Sequence, residues 1–232
     1  MDVRRFSDFA TLSEILADHV AERLKSAIGS RGLGTLVVPG GTTPAAFFDV
    51  LCARELPWEK VTITLTDERW VSVESERSNE YLVRGHLLKK HAAGACFVPL
   101  KTQAATVEDG EREAEARVAA IARPFDVIIA GMGDDGHTFS WIPGAKGLRE
   151  SLDEGGPLVR AIAPPPSSHL DARITLTLRA ACEARWIALI ARGESKWRAY
   201  EAAIPGRDVE SMPVRALFGQ SRAPVAFYWS ED

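Results

Sequence analysis

Cysteine is scarce and follows no pattern. Cys52, Cys96 and Cys182 are odd in number, lie far apart and form no C-x-x-C or Cys/His spacing. That excludes a disulfide framework and a zinc site, and leaves three thiols expected in the core. Long apolar runs are missing as well. No stretch approaches the ~18 residues of a membrane-spanning helix, and the opening MDVRRFSDFATLSEILADHV scatters Asp, Ser and Glu where a secretory leader needs an uninterrupted apolar segment. No membrane partner is expected, and the cytoplasm is the expected compartment. Nor is there an excess of positive charge: 28 Lys and Arg stand against 32 Asp and Glu, a formal net charge of −4. A nucleic-acid partner is therefore not expected, and any anionic ligand must be met by a local cluster. The chain also lacks a G-x-S-x-G elbow, a P-loop, an H-E-x-x-H pair and any set spaced as metal ligands, so no metal is expected.

What is present is an alternation of short apolar runs and amphipathic segments. Over 232 residues there is no Pro/Ser-rich linker, composition shift or repeat, which predicts one α/β domain spanning 1–232. Thr11–Glu14 has the capping-box pattern, and Leu12, Leu16, Val20, Leu24 and Ile28 share a face, so a helix should run to about Gly29–Gly32. Buried strands are expected at Thr35–Val38, Val61–Leu65, Val127–Ile129, Trp186–Ile190 and Val225–Trp229, with shorter ones at Phe97–Leu100, Leu158–Ile162 and Ala172–Thr177. Ser78-Asn79-Glu80 should start a helix that turns Tyr81, Leu82, Leu87 and Leu88 to the core. Thr106–Ala122 carries a thin stripe of Val107, Ala114, Val118 and Ile121, and reads as a solvent-facing helix whose charges need no function.

The richest stretch is Phe125–Gly144, where an apolar strand empties into GMGDDGHTFSWIPG. Its Gly131-x-Gly133-x-x-Gly136 spacing imitates a dinucleotide fingerprint, but Pro143-Gly144 closes the segment where a helix should open, and no carboxylate ends the next strand. His137 is the candidate proton-transfer group, since imidazole exchanges protons near neutral pH and three glycines let a ligand approach. Asp135 is the second candidate: it, or a backbone carbonyl, could orient the imidazole.

Three more polar clusters follow apolar strands. Gly40-Gly41-Thr42 lies between a strand and a helix that starts near Pro44, where free backbone N–H groups suit a phosphate. Asp67-Glu68-Arg69 and Lys196 follow two others, and Arg173 begins a fourth strand-like segment. A parallel sheet lines up its carboxyl ends on one edge, so these clusters are expected to share a cleft. The inventory of anion-binding backbone, one histidine, carboxylates and cations suits a small phosphorylated substrate and an acid–base step.

With PGGTTP, TDERWV, Ser78-Asn79, GMGDDGHTFSWIPG, RITLT and GESK in this order, the chain resembles the 6-phosphogluconolactonases of the oxidative pentose phosphate pathway, within the glucosamine-6-phosphate isomerase/6-phosphogluconolactonase family. The resemblance runs from about Phe6 to Trp229. It implies a modified doubly wound, Rossmann-like, mostly parallel sheet flanked by helices, no organic cofactor, and a phosphosugar lactone as the small-molecule partner. It also implies His137 as catalytic base, with Gly40, Gly41, Thr42, Arg173 and Lys196 at the phosphate end and Arg69 in the same pocket. Phe139 and Trp141-Ile142 stand where the family commonly has a small residue and Leu-Phe, which should reshape the pocket wall. Two other readings are open. The isomerase/deaminase branch usually ends this loop in Asn-Glu-Pro-Gly, and here Ile142-Pro143 leaves its carboxylate out. A non-catalytic sugar-phosphate sensor would need an output domain, for which no segment remains.

Overall fold

The computed structural model describes all residues from Met1 to Asp232. In chain order the first half runs β1 (Asp2–Phe6), α1 (Phe9–Arg31), β2 (Gly34–Val38), α2 (Thr42–Leu51), β3 (Val61–Leu65), β4 (Asp67–Arg69), α3 (Asn79–His86), β5 (Cys96–Phe97) and α4 (Val107–Ala119). The second half runs β6 (Val127–Gly131), α5 (Leu148–Ser151), β7 (Val159–Ile162), β8 (Arg173–Leu176), α6 (Leu178–Cys182), β9 (Ile187–Arg192), α7 (Glu194–Ala203), α8 (Val214–Gly219) and β10 (Val225–Ser230).

Seven strands form one sheet in the order β1-β10-β9-β6-β2-β3-β5, with every pairing parallel. The Val- and Ile-rich runs read as buried strands are its centre: β2 is buried along its whole length, as a strand covered by helices on both faces must be. From β2 the chain steps outward to β3 and β5, then returns to β6 on the other side of β2. That reversal opens a crevice above the carboxyl ends of β2 and β6, the place where open α/β sheets take ligands. One cluster of 60 buried apolar residues runs through sheet and helices. Leu12, Leu16, Val20 and Leu24 of α1 lie in it fully buried, so truncating any of the three leucines to Ala should cost about 2–5 kcal/mol. No helix is long and apolar enough to cross a membrane.

A second, antiparallel sheet, β4-β8-β7, stands beside the first. The chain leaves β3 at Leu65 and enters β4 after Thr66 alone, so Asp67-Glu68-Arg69 is itself a strand of the smaller sheet. Glutamates of α4 cover the edge of β7: Glu115 accepts from the N–H groups of Leu158 and Val159, and Glu111 from that of Ala161. These charges, expected to be idle on a solvent face, satisfy an otherwise open strand edge.

Other local expectations need correction. α1 starts at Phe9, because Asp8 rather than Thr11 is the N-cap and its carboxylate accepts from the Thr11 N–H at 2.7 Å. Tyr81 points outward, and Val83 takes the core position on α3. The strand expected at Phe97–Leu100 is the two-residue β5. Cys96 is exposed there, while Cys52 and Cys182 are buried.

Candidate active site

A cleft of about 320 Å³ opens at the crevice. Gly40, Gly41 and Thr42 reach it from the end of β2, His137 from the loop after β6, Arg192 and Lys196 from the end of β9, and Arg69 and Arg173 from the small sheet. Of the residues expected to form the site, all line this cleft except Asp135, which joins it through His137.

Nδ1 of His137 lies 2.6 Å from Oδ1 of Asp135, which also accepts from the His137 backbone N–H at 3.1 Å. The imidazole is the main cause that draws the Asp135 carboxyl down to about 2. A carboxylate can only accept, so Nδ1 carries a proton, and in the neutral ring the lone pair is left on Nε2. The backbone beneath the pair is Gly133, where a Cβ would overlap both the imidazole and the Asp135 carboxylate. Only glycine lets this pair fold back over its own loop.

Two helices begin at the cleft. The N-cap of α2 is Gly41, at φ 100° and ψ 168°, and that of α7 is Gly193, at φ 86° and ψ 162°. This region of backbone space is essentially closed to side-chain-bearing residues. No side chain caps either helix, so the free N–H groups of both first turns remain to bind an anion.

Four cations line the cleft around those turns, Arg192 among them. Lys196, in the first turn of α7, is held 3.1 Å from Asp134, and with Ser195 it draws the Asp134 carboxyl below its ordinary range. Arg69 donates to the Arg77 carbonyl at 2.6 Å and to Oδ1 of Asn79 at 3.1 Å. Arg173 is nearly enclosed, and burial pushes its guanidinium down, opposed by Asp67, whose carboxylate lies 3.6 Å away. Its buried Nε finds no acceptor in the protein.

The sequence matches the family described as glucosamine-6-phosphate isomerases/6-phosphogluconolactonase over residues 7–228. The chain belongs to this family. A 6-phosphogluconolactonase of Rhizobium meliloti (strain 1021) is 41% identical across 97% of each chain. One of Mesorhizobium japonicum is also 41% identical, across 97% of this chain and 93% of its own. The crystal structure of a 6-phosphogluconolactonase from Shewanella baltica OS155 has a TM-score of 0.96 at 39% identity, covering 99% of this chain and 97% of that one. Both the Rossmann-like, mostly parallel fold and the family resemblance expected from the motifs are thereby borne out.

Within this isomerase/lactonase frame, sequence reasoning left out cleft residues that the fold brings in. Asp67 and Arg69 line the cleft while Glu68 is buried away from it, because successive residues of a strand face opposite sides. Asp67 accepts from Ser140 at 2.5 Å and from Thr66 at 2.8 Å, which leaves it fixed beside Arg173. Glu68 accepts from the N–H groups of Arg69, Asn79 and Glu80 and from the Ser78 hydroxyl, and so holds the start of α3; burial pushes its carboxyl up against the pull of these donors. Asn79 and Arg192 also line the cleft. Phe139 forms part of the wall with φ 56°, stacked 4.6 Å from the fully buried Trp141 at 3° between planes. Trp141 is pinned by its Nε1–H to the Leu176 carbonyl at 2.9 Å.

Proposed function

We infer that this chain hydrolyses 6-phospho-D-glucono-1,5-lactone to 6-phospho-D-gluconate, the lactone-opening step of the oxidative pentose phosphate pathway. One observation carries the reading: a histidine held at Nδ1 by an ionised aspartate lines a cleft that also gathers two uncapped helix N-termini and four cations. The full-length similarity to proteins named 6-phosphogluconolactonase supports it.

In the proposed mechanism His137 takes a proton from water as the water oxygen bonds to the lactone carbonyl carbon. The carbonyl π pair moves onto oxygen, giving a tetrahedral oxyanion. When that pair returns, the bond from carbon to the ring oxygen breaks, and the proton held on His137 passes to the departing oxygen. The carboxylic acid so formed ionises and releases one proton to solvent, and no covalent enzyme intermediate arises. Asp135 keeps the imidazole in the required tautomer and favours its transient positive charge. Gly40, Gly41, Thr42, Arg173, Lys196 and Arg69 hold the phosphate, fixing the carbonyl relative to the base.

Ring opening of an amino-sugar phosphate is less favoured. The position where a carboxylate would enter is Ile142, which is buried in a small cluster with Ala145 and with Ile162 of β7. The deciding experiment is acid release from freshly made 6-phosphogluconolactone in a weakly buffered indicator solution, against the spontaneous rate. Turnover of glucosamine 6-phosphate with no acceleration of lactone opening would overturn the reading.

A further inference from the structure

We propose that Asn79 is a positioning residue that fixes the distance between the phosphate-binding turn at Gly40–Thr42 and the guanidinium of Arg69. The proposal rests on the lactonase reading for its substrate, and on geometry for everything else. Asn79 is the first residue of α3, and its side chain is buried although it borders the cleft. Its Nδ2 donates to the Asp67 carbonyl at 2.7 Å, and its Oδ1 accepts from Nη1 of Arg69 at 3.1 Å. These two partners settle the orientation of the amide, since a carbonyl can only accept and a guanidinium can only donate.

The third neighbour is Gly40. A Cβ added there would overlap the carboxamide of Asn79, with Oδ1, Cγ and Nδ2 as the three nearest atoms. Gly40 does not share the positive φ of Gly41, and the atoms an alanine methyl there would meet first are all in the side chain of Asn79. The carboxamide therefore fills the gap between β4 and the turn after β2, bonded on one side and in van der Waals contact on the other. Its own backbone is held by Glu68, which accepts from the Asn79 N–H at 2.8 Å. Neither loop end can move toward the other without displacing it.

The test compares Asn79→Ala, Gly40→Ala and the double variant by calorimetric titration with inorganic phosphate and by steady-state kinetics on the phosphorylated lactone. Each single variant should weaken phosphate binding and raise KM by about 10-fold, the scale of one charge-assisted hydrogen bond, while kcat falls by less than about 3-fold. The double variant should be no worse than the poorer single, because the methyl at position 40 then no longer strikes the carboxamide. Asn79→Asp preserves volume, pairs its charge with Arg69 and should bind phosphate more weakly than wild type even if the alanine variants fold poorly. A merely space-filling asparagine would lower Tm while leaving phosphate affinity and KM at wild-type values. That result, multiplying effects in the double variant, or wild-type phosphate affinity in Asn79→Asp would each overturn the proposal. Phosphate binding is read without turnover, so a wild type that binds phosphate but opens no lactone would overturn the functional reading alone.

Discussion

Arg69 and Arg173 stand directly opposite each other across the antiparallel pair β4–β8. Like charges in that relation repel, and the only carboxylate that joins them in the cleft, Asp67, sits 3.6 Å from Arg173. A doubly charged phosphate between the arginines would relieve the repulsion and supply an acceptor for the orphaned Nε of Arg173. Inorganic phosphate should therefore raise Tm and inhibit competitively. Arg173→Ala should lose about 1.5–3 kcal/mol of substrate binding, seen chiefly in KM. A variant with wild-type KM and an undiminished preference for the phosphorylated lactone over gluconolactone would remove Arg173 from the phosphate site.

Lys196 is already occupied by Asp134, so substrate phosphate has to displace a carboxylate before it gains that cation. Asp134 is well exposed, and an exposed pair is worth at most about 1 kcal/mol. Asp134→Asn should consequently lower KM by up to about 5-fold, whereas Lys196→Ala raises it. Kinetics on both variants at one ionic strength check the opposite signs. An increase of KM in Asp134→Asn would mean that the carboxylate supports the site instead of competing for it.

Asp135, drawn down to about 2, is ionised at every working pH, so it does not supply the acid limb of the rate. A base must be neutral to accept a proton, so kcat/KM should fall as acid protonates the imidazole, after subtraction of spontaneous hydrolysis. Asp135→Asn removes the anion that holds Nδ1 and supports the transient positive charge, so kcat should fall with the fold intact. His137→Ala should lose roughly 10²–10⁴-fold in kcat with the fold intact. A folded alanine variant with near-normal kcat would exclude histidine as the base.

Gly133→Ala offers a separate test of the same pair. Its methyl would meet the imidazole and the Asp135 carboxylate, while the backbone at 133 has no positive φ to strain. The substitution should lower kcat by about 10²-fold through misplacement of the base, with Tm little changed. Circular dichroism and steady-state kinetics decide it: unaltered kcat would show that the imidazole acts from another position.

The large sheet was legible because its strands are continuous apolar runs, and the cleft because parallel strands must end together. The small sheet was not. Asp67-Glu68-Arg69 is three polar residues whose strand partner, Arg173–Thr175, lies about a hundred positions away, so no local periodicity announces it. β1 was missed for the same reason: Asp2–Phe6 is largely charged and is a strand only because β10, at the far end of the chain, pairs with it. The alternation rule, applied to 67–69, would have separated the cleft residues Asp67 and Arg69 from the buried Glu68. Asn79 read as a helix start, which it is, while its contacts to Arg69 and Gly40 exist only in three dimensions.

Glu68 gives the last expectation. One carboxylate oxygen accepts from the N–H groups of Arg69 and Asn79, the other from the Glu80 N–H and the Ser78 hydroxyl. Glutamine has the same shape, but either orientation of its amide turns NH2 toward a backbone N–H that can only donate. Glu68→Gln should therefore leave one or more buried donors unpaired at a cost of about 1–3 kcal/mol. For a chain of this size that is a fall of several degrees in Tm, about 2–4 °C per kcal/mol. Since the same carboxylate holds the backbone of Asn79, the variant should also raise KM for the phosphorylated lactone more than it lowers kcat. Thermal melts and kinetics at a temperature well below both transitions separate the two effects. A Tm equal to wild type would mean that these hydrogen bonds add nothing net to the fold, and an unchanged KM would uncouple the start of α3 from the phosphate site.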